Sequence, residues 1–448
     1  MFTSKRVYTF AGFIIPSVLF ISPSSPILLV TSRLEDGAVF AVPLSLLLLP
    51  FLLLWSISKS KIKNSGAWFY LLLGIFFVWL LLLAAYSFVN TSTDSLLFLI
   101  QWIVPYLFIY FYATMVKYEN LIFFLKGFVA GTIFSCSYTF LAGILEIALY
   151  GIGMGRMTQN LILPGFYQLF VYIPTVLAFT SLICMCAVRF RLIHIGRFWT
   201  ITLYVTSFFA ILFTAAIEGF LIYILGLLGI FLLKNKRTIL LKICAMIGGV
   251  IILLGSVDYV LNRVGETDIM MLQKISQTNY DGNQLRGRDE AIAKFTKVIV
   301  QRPFTGTAVL PPFYHPSLGV DASSSAHNYY WDTFAWSGFF GFAIIITLYL
   351  LLLIKSVANI LRNINSRSPV IRFYILMNFL LILLILLSNN INVPMRQPVT
   401  GAIGSLLIYF CIHFESIKSI HKNINIKEYI SNKKYSAIFI AENQAIEI

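Results

Sequence analysis

His327 stands where a polar stretch gives way to an apolar run, SSSAHNYYWDTFAWSGFFG (323–341). An imidazole titrates near working pH, so at such a boundary it can take the proton from an attacking hydroxyl. Upstream, QLRGRDE carries Arg286 and Arg288 and GMGRMTQN carries Arg156; downstream, PMRQP carries Arg396. Guanidinium groups grip phosphate oxygens bidentately. Trp331 follows His327 at i+4 and Asp332 follows Asn328 at the same spacing, so each pair can share a helical face. A plainer reading is also open. Tyr329, Tyr330, Trp331 and Trp336 can form an aromatic belt at a membrane surface, with Asn328 near a helix cap and His327 merely interfacial. Each arginine, Arg302 included, can equally be exposed or paired with an acid. HExxH, GxSxG, Walker A and paired CxxC patterns do not occur, so the sequence asks for neither a metal, a cofactor nor a covalent nucleophile.

What must position these residues is a set of membrane helices. Of the 448 residues, 59% are hydrophobic and 11% charged, against about 25% charged in an ordinary soluble domain. Runs of about 20 apolar residues recur between short polar breaks, each long enough to cross hydrocarbon as a helix. The expected fold is an all-α polytopic membrane protein with about twelve transmembrane helices. They lie near 8–31, 38–57, 67–89, 95–116, 120–149, 166–188, 198–216, 218–233, 238–260, 328–354, 372–389 and 399–415. Cys136, Cys184, Cys186, Cys244 and Cys411 all fall in apolar runs and read as small packing residues. The basic start and apolar core of the N-terminus resemble a signal peptide, but the apolar run continues past SPSSP and reads as a first, uncleaved helix.

Charge sets the orientation. Taking alternate breaks from the N-terminus, one side holds 23 Lys and Arg against five acids and the other holds ten against thirteen. The positive-inside rule then puts both termini in the cytoplasm. The net charge of +15 is accounted for by orientation against anionic lipid and implies no nucleic acid partner.

One outer connection is long, giving four regions: helices 1–9 over 1–261, a large outer loop over 262–326, helices 10–12 over 327–415, and a basic cytoplasmic tail over 416–448. Within the loop, GRDEAIAKFTKVIVQRP predicts an amphipathic helix with Ile292, Phe295 and Ile299 on one stripe. Arg288 falls at its predicted start, where free backbone N–H groups also favour an anion. Pro303 follows its end.

AHNYYWDTFAWSGFFG contains His327, Asn328, nine residues, Gly338, two residues and Gly341. This resembles the signature of the O-antigen ligase and Wzy-type O-antigen polymerase superfamily. GRDEAIAKFTKVIVQRPFTGTA is similar to the family's arginine-bearing amphipathic segment at Arg288, Pro303 and Gly306, although TGTA is looser than the usual Gly-x-Gly. The likeness covers 286–341 in detail and the remainder by topology.

The resemblance implies a GT-C-like, metal-independent membrane glycosyltransferase with its large loop and active site in the periplasm, in a bacterial inner membrane. Its substrate would be a glycan on undecaprenyl pyrophosphate, and a chain-length regulator protein would be a partner. Arg288 would hold pyrophosphate, where charge develops on the leaving group. His327 would activate or orient the acceptor hydroxyl, and Trp331 would offer a sugar a stacking face. Asn328, Arg286, Arg156, Arg396 and Glu218 complete the expected substrate contacts. Glu218 stands where family ligases often carry an arginine in a Ser-Arg-Gly-like turn, with Arg156 as the compensating cation. That departure favours a polymerase, which extends another lipid-linked repeat unit, over a ligase, which loads lipid A core. A transporter or flippase would show two similar halves, and a non-catalytic assembly partner would tolerate loss of His327 and Arg288.

Overall fold

The computed structural model describes residues 4–17, 31–33, 39–41, 66–88, 94–117, 120–150, 169–213, 217–232, 283–308, 325–391, 395 and 398–420. These residues are mostly helical, as backbone in hydrocarbon requires. In chain order the helices are α1 (Ser4–Ile14), α2 (Ala67–Phe88), α3 (Asp94–Met115), α4 (Leu121–Tyr150), α5 (Leu169–Arg189), α6 (Arg197–Phe213), α7 (Ile217–Leu232), α8 (Asn283–Gln301), α9 (Tyr329–Asn363), α10 (Pro369–Leu383) and α11 (Pro398–Ile412). After α10 the chain makes a π turn, Leu384–Ser388, and one further helical turn, Asn389–Ile391.

Among the described residues, four helices are long and apolar enough to cross a membrane: Ala67–Ser87, Leu121–Leu141, Tyr329–Asn363 and Pro369–Ser388. A fifth crossing arises if Thr400–Ile412 and Phe414–Ile420, bent by 56°, act as one span. The helices are those of a multi-pass membrane protein. On α2, Leu71, Ile75, Val78 and Leu82 are exposed while Phe69, Leu73, Phe76 and Leu80 are buried. Apolar side chains on both faces suit a helix with protein on one side and lipid on the other. The expected span at 238–260 lies outside the described residues. The one at 38–57 does too, apart from a short strand. Val39–Ala41 pairs antiparallel with Thr31–Arg33, Ser32 opposite Phe40, a short pairing in an otherwise helical set of described residues. Thr31 and Val39 are β-branched and favour that conformation.

The expected amphipathic helix is α8, with Phe295, Val298 and Ile299 buried where it packs against α9. It begins earlier than its sequence pattern predicts, at Asn283, because Gln284, Leu285 and Arg286 are good helix formers. Arg286 therefore occupies the first turn, and Arg288 lies beyond it, away from the free N–H groups.

α9 is broken at Gly338, whose backbone adopts φ 67° and ψ −172°. The turn that follows α8 docks there. Phe339 N donates to the Pro303 carbonyl at 2.7 Å, and Thr307 N donates to the Ala335 carbonyl at 2.8 Å. In an unbroken helix Phe339 would have bonded Ala335; at the break each takes a partner from the turn instead. The approach leaves no room for side chains: a Cβ on Gly338 would sit 2.0 Å from the Phe304 oxygen, and one on Gly306 2.2 Å from the Ala335 oxygen. Trp79 Nε1 donates to the Ser337 carbonyl at 2.8 Å, satisfying another acceptor freed by the break. Ser87 Oγ bonds the Ala308 carbonyl, pinning the far end of the turn to α2.

Candidate functional site

His327 is exposed and holds φ 52°, a left-handed backbone that costs an L-residue about 1 kcal/mol or more. The loop that imposes it is tied to a buried carboxylate. Asp332, 0% exposed, accepts the Ser325 hydroxyl at 2.7 Å and the Ala326 N–H at 2.7 Å. Ser325 Oγ in turn accepts the His327 N–H at 2.9 Å. Non-glycine residues held in this region over-represent functional positions, because surrounding contacts must maintain the strain.

His327 does not start the helix. Asn328 is the N-cap of α9, its Oδ1 accepting the N–H groups of Tyr330 and Trp331 at 3.0 and 3.2 Å. That cap ends the helical repeat one residue after His327, so the i, i+4 pairing with Trp331 does not apply. Nor do Asn328 and Asp332 pair through their side chains: the Asn328 oxygen takes the Tyr330 and Trp331 N–H groups, and Asp332 takes the Ser325 hydroxyl and the Ala326 N–H. The aromatic belt also needs correction. Tyr329 and Trp336 are fully buried. The Tyr329 hydroxyl meets that of Tyr106 at 2.7 Å, and Tyr106 meets Tyr349 at 2.9 Å. Trp336 packs on Trp102. Tyr330 and Trp331 are half-buried, so the rings serve mainly the helix interior.

The end of α10 completes this end of the bundle. Asn328 Nδ2 donates to the Asn390 carbonyl at 3.1 Å, and Tyr330 Oη donates to the Ile385 carbonyl, inside the π turn, at 2.8 Å. The Ser388 hydroxyl donates to Glu218 Oε1, tying the first turn of α7 to the same segment; Glu218 is buried. π turns recur at functional sites. Between Ser388 and Asn390 lies Asn389, 0% exposed, its amide beside the Tyr330 hydroxyl but without well-formed hydrogen-bond geometry to any described residue. A buried amide left so costs about 1–3 kcal/mol and invites a ligand or water.

His327, Asn328, Trp331 and Glu218 are thus gathered at one end of the bundle. Arg286 and Arg288 lie at the start of α8, whose other end carries the turn docked at Gly338, so the described contacts do not bring them to His327; the helical repeat puts position 288 in line with Ala291 and Phe295. Arg302 is exposed. Arg156 and Arg396 lie outside the described residues. Ser325, Ser388, Asn389 and Asn390 enter the site without having been singled out by sequence, and Asp332 and Tyr330 enter it in roles other than the helical pair and aromatic belt that their spacing suggested. The available signal was SNN (388–390) closing an apolar run, which reads equally well as the start of a short loop. Four cysteines, Cys136, Cys184, Cys186 and Cys411, are buried thiols. Among the described residues no group of three or more His, Cys, Asp or Glu is placed to hold a metal. In comparison with known proteins, no family model and no curated protein matches the chain.

Proposed function

We propose that the chain is a membrane glycosyltransferase of the O-antigen polymerase type. It transfers a glycan from undecaprenyl pyrophosphate to a sugar hydroxyl of another lipid-linked repeat unit. The reading includes about twelve GT-C-like spans, termini in the cytoplasm, and a periplasmic site in the bacterial inner membrane. One observation carries it: the two segments of the resemblance meet, the Pro303–Gly306 turn bonding the α9 backbone at Gly338, with a strained, exposed His327 at the head of the same helix.

In the proposed reaction the acceptor hydroxyl attacks the anomeric carbon, the bond from that carbon to the pyrophosphate oxygen breaks, and the lipid pyrophosphate leaves with the electron pair. His327 receives the hydroxyl proton. Arg288, with Arg286 in the first turn of α8, stabilises the charge on the departing pyrophosphate. The Asn389 amide, one donor pair and one acceptor, suits a sugar hydroxyl, and Glu218 on Ser388 borders the same place. A chain-length regulator remains the expected protein partner.

Deleting the gene and resolving the surface glycan tests this. A polymerase mutant displays core carrying a single repeat unit. Loss of all capped core, with lipid-linked polymer persisting, would instead identify a ligase. Normal polymer on normal core overturns both.

A further inference from the structure

A second site lies at the opposite end of α7 and α10. Arg189, Arg191 and Arg372, with Phe190 and Ile230, line a cavity of about 220 Å³. Three elements meet there. The last turn of α5 brings Arg189, and the turn after it brings Phe190 and Arg191. Ile230 lies near the end of α7, and Arg372 in the first turn of α10.

Nothing described neutralises these cations. The ion pair among the described residues joins Lys418 to Glu415, and the buried carboxylates Glu218 and Asp332 lie at the other end of the bundle. Arg191 holds φ 57°, so the turn is strained where it delivers its guanidinium. Arg372 Nε donates to the Ser366 carbonyl at 2.9 Å, which leaves its two terminal amino groups for another acceptor. A cytoplasmic charge excess would be met equally well by arginines scattered over the loops. Convergence on one concave site brings like charges together and calls for an anion.

The surroundings specify which anion. Phe190 and Ile230 are buried and give the cavity an apolar wall. The first turn of α6 exposes Phe198 and Trp199, aromatic residues of the kind that settle at headgroup level. We propose that this cavity binds the phosphodiester headgroup of an anionic phospholipid in the leaflet at the basic end of the helices.

The test is lipid retention by the whole protein. Purified protein is exchanged into nanodiscs of mixed phosphatidylglycerol and phosphatidylcholine, then released into the gas phase for native mass spectrometry. Wild type retains phosphatidylglycerol over phosphatidylcholine, and the preference falls about fivefold for each of Arg191→Gln and Arg372→Gln. Arg191→Lys and Arg372→Lys keep the charge yet lose the bidentate geometry, so they retain less than wild type. Charge-matched losses elsewhere on the basic side, Lys117→Gln with Arg362→Gln, leave the preference unchanged. Equal retention of the two lipids by wild type would overturn the proposal without reference to any variant's folding. So would displacement of the lipid by millimolar inorganic phosphate, which would mark a soluble-anion site.

Discussion

At the scale of single residues, the proposed chemistry rests on His327 and Arg288. Replacing either with Ala should lower chain growth about 10²–10⁴-fold at unchanged membrane abundance, read as loss of the glycan ladder. Full ladders from both variants would remove them from the mechanism. Asp332 acts by positioning. Asp332→Ala leaves the Ala326 N–H and the Ser325 hydroxyl without their acceptor and should cost about 1–3 kcal/mol, measured as a lowered midpoint of thermal unfolding in detergent. Asn389 should behave in the opposite sense. Asn389→Leu removes an unsatisfied buried amide, so it should stabilise the protein by about 1 kcal/mol while reducing chain growth. A destabilised but fully active variant would show that the amide serves structure alone. Position 327 could be picked out as a candidate from the sequence because a lone imidazole at a polar boundary is conspicuous. Asn389 was not, because burial and missing partners are properties of the folded neighbourhood.

At the scale of elements, helix positions were largely legible: an apolar run has to be helical in hydrocarbon, and α2 to α7 begin and end within a few residues of their expected spans. Which face each helix hides was not. Tyr329 and Trp336 look interfacial by residue type, yet α9 turns them toward Trp102 and Tyr106, a choice made by neighbouring helices distant in sequence. The glycine spacing was recognisable before its cause. Gly338 and Gly306 are required by the close docking of turn and helix, so Gly338→Ala and Gly306→Ala should each cost several kcal/mol, about the upper range for single substitutions, and sharply reduce folded protein on gel filtration. Gly74 provides the contrast, since a Cβ there meets nothing within 4 Å. Gly74→Ala should raise stability by about 0.5–1 kcal/mol, the ordinary helix preference for alanine.

At the scale of the whole molecule, α10 and its continuation to Ile391 span about 35 Å at helical rise, separating the His327 cluster from the arginine cavity by roughly a bilayer. Cysteine labelling in cells checks the orientation proposed for them. His327→Cys should react with an impermeant maleimide from outside, and Ser366→Cys only after permeabilisation; the reverse pattern would invert the topology. Buried Cys136, Cys184, Cys186 and Cys411 should contribute little background. The exchange of backbone partners at the α9 break also gives the protein a built-in probe. The Phe339 amide is held by the Pro303 carbonyl from another segment, so its deuterium uptake counts how often the turn lets go, whereas amides further along α9 report fraying of the helix itself. If substrate binding clamps the outer loop, uptake at that one peptide should slow while the rest of α9 is unmoved.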